Sequence, residues 1–138
     1  MMMTSFPAGV AARAVRDALR GAGYANAYDV PVAAWVCCEP IVVSCGSWER
    51  ESRQADGSER GRRALVAHVC CDDPSDAEAT ARGVALDLAA WDWAAAETPA
   101  GTRIVACDVG RPVPYGRDRS GRWVWDVPMT MTGVVGNG

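Results

Sequence analysis

Between Leu65 and Trp93 the chain changes its hydrophobic period once, and that switch restricts its fold more than any other feature. The run Leu65-Val66-Ala67-His68-Val69-Cys70-Cys71 is short, apolar and rich in β-branched residues on one parity. Asp72-Asp73-Pro74-Ser75-Asp76 then has the form of a helix start, and Ala77, Ala81, Val84, Leu88 and Trp91 recur at helical steps. A strand therefore runs into an amphipathic helix. Asp73 is the expected cap, with Pro74 at the first position and Asp76 adding negative charge to the first turn. Glu78 and Arg82 form a favourable four-residue pair. Ala79, Gly83 and Ala90 make a small-residue face able to admit another helix.

A length of 138 residues is about that of one domain, and a hydrophobic fraction of 49% is ordinary for a globular one. The chain is read as a single domain over residues 1–138, with a frayed tail at 133–138. Its net charge of −3 argues against general polyanion binding, so nucleic acid is not expected as a specific ligand. All 14 basic residues are Arg, which a GC-rich coding sequence explains more simply than an interface favouring bidentate donors. No run approaches the length of a membrane span. The opening residues lack the pattern of a secretory signal, so the six Cys are expected as reduced thiols in a cytosol.

A first helix is expected over about residues 7–20, capped by Ser5 or Thr4, with Ala11, Ala14, Val15, Ala18 and Leu19 on one stripe. Gly21 and Gly23 would stop it. Residues 33–38 have the look of a buried strand, broken by Glu39-Pro40 and resumed at residues 41–45. From Trp48 to Arg63 charges crowd round Asp56-Gly57, a strong turn signal. One hairpin with a charged, mobile tip is expected, returning along residues 62–71. Another strand covers residues 103–109. In the last segment Trp123, Trp125, Val127, Met129 and Met131 alternate with Val124, Asp126, Pro128, Thr130 and Thr132. That pattern marks a half-buried antiparallel strand, with Pro128 at an edge or bulge. The expected architecture is α+β: a mostly antiparallel sheet of four to five strands with two helices on one face, in the order α-β-β(-β)-α-β-β.

Candidate chemistry is sparse. His68, Cys70 and Asp72 alternate on one strand and are the candidate ligands of a small metal- or ligand-binding domain. The closely spaced Cys pairs of zinc sites are missing, and adjacent Cys in a strand point to opposite faces. Structural thiols are the simpler reading. His68, the lone His, sits mid-strand among apolar residues, as a core or interface His would. Asp72-Asp73 is explained by capping and Glu49/Glu51 by a solvated hairpin. Phosphate-loop and dinucleotide patterns are absent. Arg117, Arg119 and Arg122 beside Trp123 and Trp125 fit a polar turn entering a core strand better than a base-stacking patch. No enzyme and no cofactor is expected. Six Trp with Met129 and Met131 supply more large apolar surface than two Ala-rich helices would cover, which favours self-association.

Three segments resemble one known group. These are the short helix at residues 8–20, the strand and helix ALVAHVCCDDPSDAEATAR at residues 64–82, and the closing hairpin at residues 104–115 and 121–134. In type and order they resemble the tail-completion, tail-terminator and minor capsid proteins of long-tailed bacteriophages. The resemblance implies a non-enzymatic α+β virion subunit of a phage or prophage that self-associates, often as a hexameric ring, at the head–tail junction or tail end. Implied partners are other virion proteins such as the tail tube and connector. The implied location is the host cytoplasm during assembly and then the virion, without membrane. On this reading Arg50, Glu51, Arg53, Arg60 and Arg62 of the hairpin lie at or near an interface. The Cys and Trp content and the Glu39-Pro40 break depart from the pattern. Rival readings are the metal- or ligand-binding domain using His68 and the cysteines, and a host accessory domain.

Overall fold

The computed structural model describes residues 5–136. Helix α1 (Ala8–Gly21) leads to a two-residue strand β1 (Ala27–Tyr28). The long strands β2 (Ile41–Arg53) and β3 (Glu59–Cys71) form the hairpin. Helix α2 (Pro74–Ala89) and a 3-10 turn (Trp93–Ala95) follow. The chain closes with β4 (Thr102–Val109), β5 (Val113–Arg117) and β6 (Trp123–Val135). The fold is α+β, with six strands in the order β1-β2-β3-β6-β4 and β5 also paired to β6. Every pairing is antiparallel except that of β1 with β2.

Both helices cover one sheet face. Ala11, Val15, Ala18 and Leu19 of α1 and Ala77, Ala81, Val84 and Leu88 of α2 are buried. They share a core with Ile41, Val43, Leu65, Ala67, Val69, Val127, Met129 and Met131. The period-2 alternation expected for β6 thus points Val127, Met129 and Met131 under the helices. Each such side chain contributes roughly 1.5–3 kcal/mol by leaving water. Asp73 caps α2 as expected, accepting from the N–H groups of Ser75 at 2.8 Å and Asp76 at 3.1 Å.

Two glycines lie where aromatic rings need room. Gly61 and Gly133 are register partners on β3 and β6. A Cβ on Gly61 would stand 2.5 Å from the Trp48 ring, and one on Gly133 would stand 2.5 Å from Phe6. Phe6 and Trp48 stack at 6.3 Å between centroids. The pair lies over bare backbone that any side chain would fill.

Several expectations are corrected. Residues 33–38 form no strand: they turn, with Val36 N–H donating to the Ala33 carbonyl at 2.9 Å and Trp35 89% exposed. With Pro31 and Pro40 flanking it, the apolar run finds no partner strand. Pro7, which has no side-chain acceptor, holds the cap position of α1 in place of Ser5, and Thr4 lies outside the described residues. Charged residues 49–53 are strand, so the hairpin is longer than expected. The small-residue face of α2 receives Tyr24 at Gly83 and approaches α1 at Ala90, which lines a cleft with Ala14 and Ala18. A Cβ on Gly83 would sit 3.1 Å from the Tyr24 hydroxyl, and Ala79 and Ala90 are exposed. Gly133, Val134 and Val135 end β6, paired to both β3 and β4, so the described part of the expected tail is sheet. Residues 137–138 lie outside the description.

Strand β6 is interior, not an edge. Its residues 123–126 pair with β5 and its residues 129–135 pair with β4 on the same side. Pro128 falls in the gap between those partners, where a missing N–H costs no ladder bond. Its carbonyl instead accepts from Gly110 N–H at 2.8 Å.

Candidate functional site

The hairpin gathers all five predicted interface residues. From Glu49 to Asp56 every residue is exposed. Two acids organise the arginines on opposite faces. On one, Glu59 Oε1 lies 2.7 Å from Arg53 Nη2 and 3.5 Å from Arg50 Nη1. On the other, Glu51 Oε1 lies 3.7 Å from Arg60 Nε, and Glu51 Oε2 lies 3.6 Å from Arg62 Nε. The hydrogen bond from Arg53 holds the Glu59 carboxyl below the usual carboxylate range, against the opposing effect of burial. A bulge between Arg50 and Ser52 turns Glu51 towards Arg60 and Arg62. Each acid serves two arginines, so the two clusters carry an excess of positive charge on an acidic chain.

The hairpin is also a sheet edge. Strand β1 pairs only with Ile41 and Val42, so among the described residues positions 43–53 of β2 have a strand neighbour on one side alone. An edge of that length is a template for another chain unless it is blunted. Two bulges and the charges of Glu49, Arg50, Glu51 and Arg53 restrict what can pair there.

The face without helices carries the polar chemistry. His68 on β3 stands directly opposite Asp126 on β6 and Val42 on β2. Its Nδ1 lies 2.7 Å from Asp126 Oδ1, and its Nε2 lies 2.8 Å from Ser44 Oγ. One tautomer satisfies both contacts: Nδ1–H donates to Asp126, and bare Nε2 accepts from the Ser44 hydroxyl. His68 therefore stands on an accessible face, its side chain 33% exposed, and not among core residues. The three residues come from adjacent strands but lie 24 and 58 positions apart. No local spacing marks them; the alternation of residues 65–71, which turns His68 away from the helices, was the available signal.

The alternative ligand set is dispersed. Cys70 shares the open face with His68, its thiol 3.8 Å from the His68 carbonyl. Asp72 lies beyond β3 and is exposed, its N–H donating to Glu39 Oε2 at 2.9 Å. Among the described residues no group of three or more His, Cys, Asp or Glu is placed to hold a metal ion. Burial pushes the thiols of Cys70 and Cys71 up to about 11 and that of Cys107 up to about 12, which disfavours the thiolate that a metal or an electrophile would need. Cys70 and Cys71 occupy opposite faces, as strand geometry requires.

The basic residues before β6 form a turn. Arg122 Nε donates to Asp118 Oδ2 at 2.8 Å, and the Asp118 side chain also accepts the N–H groups of Ser120 and Arg122. The Arg117 guanidinium lies over the Trp123 ring, 4.8 Å from its centre, and so covers one of the π faces on which a base would stack.

No protein-family model matches this chain, and no curated protein matches it. Among solved structures the fold is similar to that of a chain in the virion of a native gene transfer agent (GTA) particle. The TM-score is 0.57 at 18% identity, covering 94% of this chain and 97% of the other. At that identity the likeness is one of fold.

Proposed function

We propose that this chain is a structural subunit of a phage, prophage or phage-like gene-transfer particle, acting by contact between subunits and not by turnover. The observation that carries the reading is the hairpin. Residues 49–56 are all exposed, and two Glu-centred arginine clusters are presented on opposite faces of a free sheet edge. A surface of that kind recognises a neighbour by planar, bidentate contacts and excludes wrong partners by charge. The near-complete mutual coverage with the GTA virion chain supports the same reading, because the likeness extends over the whole subunit. The resemblance to tail-completion, tail-terminator and minor capsid proteins supports placement at the head–tail junction or tail end. It also supports a ring, with six copies as its expected size, contacting the tail tube or connector. The host cytoplasm during assembly, then the particle, is the corresponding location.

Native mass spectrometry tests the ring directly. The expected species is a closed multiple of the 14.6 kDa chain. Replacing Arg60 and Arg62 together by Glu should dissolve it, because the hairpin face offered to the neighbour would change from basic to acidic. Particles purified from the source strain should contain the chain by peptide mapping. A chain that stays monomeric at high concentration and is missing from such particles would defeat the proposal.

A further inference from the structure

We propose that Ser44 is an activated nucleophile, poised by His68 and Asp126 to accept an acyl group from a small carboxylic ester. This is a covalent modification site beyond the assembly role, and it does not rest on that role. Nucleophilic serine requires a base within hydrogen-bond reach and a third group that orients the base. Ser44 Oγ to His68 Nε2 at 2.8 Å and His68 Nδ1 to Asp126 Oδ1 at 2.7 Å meet both conditions. The backbone holds this arrangement without strain. Asp126 is the direct cross-strand partner of His68, and Ser44 is its diagonal neighbour, positions from which side chains meet across a sheet.

Ser44 is exposed, so an electrophile can reach Oγ. A place for the rest of the ester lies beside it. A cavity of about 300 Å³, with Ser44 just outside it, is lined by Val42, His68, Tyr115 and Val124 and by the mutually paired Asp118 and Arg122, among others. Val42 is two residues from Ser44 on the same face, so a chain lying over Val42 spans from the cavity to the hydroxyl. The mainly apolar walls favour an ester with a short hydrocarbon part. A hydrogen-bond donor to the developing negative oxygen is also at hand. Cys70 N–H donates to the Pro40 carbonyl, which places the even-numbered residues of β2 in the bonded pairs with β3. The amide of Cys45, next after Ser44, then points away from β3, on the side where β1 has ended.

In the step, Oγ forms a bond to the acyl carbon as its proton passes to His68 Nε2. The tetrahedral intermediate collapses with cleavage of the ester C–O bond. The proton moves from Nε2 to the departing alkoxide, which leaves as the alcohol. The product is O-acyl Ser44 with His68 neutral again. Asp126 keeps the ring in the required tautomer throughout.

The test is labelling of the full chain with a small fluorophosphonate, which reacts at activated serines, followed by peptide mass spectrometry. The expected result is a single adduct on Ser44, absent in Ser44→Ala. His68→Gln should slow labelling about 100-fold, the usual worth of a positioned base. Asp126→Asn should slow it tenfold or more, because it favours the wrong tautomer. Circular dichroism checks that each variant is folded, and Asp126→Asn, which keeps the side-chain shape, decides the matter if His68→Gln unfolds. A folded wild type without an adduct on Ser44, or an adduct forming as fast without His68 or Asp126, would overturn the proposal.

Discussion

Leu65 and Val66 are neighbours in sequence and nearly alike in chemistry, yet Leu65 lies sealed beneath the helices while Val66 lies half-buried on the open face of the same sheet. The same division continues along β3 and across to β6. Ala67, Val69, Val127 and Met129 pack against α1 and α2. His68, Cys70, Asp126 and Thr130 do not. On the covered face a polar group would need a buried partner, and the chain supplies almost none there. On the open face water is near, and a Ser–His–Asp network can form at little desolvation cost. The difference shows how one strand can hold a core and present chemistry, with alternation alone separating the two tasks.

The comparison is broken or sharpened most strongly by a pair of substitutions at those neighbours. Leu65→Ala should cost roughly 2–5 kcal/mol, because the transfer loss is joined by a cavity. Val66→Ala should cost less than about 1 kcal/mol in the free subunit. Urea denaturation of both variants measures the contrast. Equal costs would mean that the open face is covered, and repeating the measurement across protein concentrations would show whether another copy covers it. Next in size is Gly133→Ala, expected to cost about 1–3 kcal/mol because the new methyl meets the Phe6 ring. A double-mutant cycle with Phe6→Ala should show the two losses to be non-additive, since they share one contact. The cap comes after that. Asp73→Ala should cost about 1 kcal/mol by freeing the Ser75 and Asp76 amides.

The covered face was legible in the sequence because its signals are local. The step pattern Ala77, Ala81, Val84, Leu88 and the Asp73-Pro74 start depend on residues a few positions apart, and the structure keeps both. The turn at Asp56-Gly57 was legible for the same reason; Gly57 has the positive φ that such a turn favours. What was hidden depends on pairing between distant segments. Residues 33–38 have strand-like composition but acquire no neighbour. Pro128 is tolerated inside the sheet only because β5 stops and β4 starts on either side of it. The interface candidates were found as a charge cluster, but not their division into two faces, which follows from a bulge at Arg50/Ser52. Ser44, His68 and Asp126 were beyond reach of spacing altogether, because only strand register brings them together.

The smallest expected effect separates the hairpin end from the body of the sheet. Glu59 is 6% exposed yet belongs to the hairpin's ion cluster, and Arg53 and Arg50 hold its carboxyl below its ordinary value of 4.5. A carboxylate whose value is lowered on folding contributes stability that is fully present above the unfolded value and is lost as pH falls through the folded one. Wild type should therefore be more stable than Glu59→Gln at neutral pH, and the gap should close as the pH is lowered from 7 towards 3. Paired thermal denaturation curves across that range measure it. A gap that stays constant would mean that Glu59 acts by filling space and not by charge. The hairpin end would then be packed like the covered face, and the ion clusters would be left with no part in holding its shape.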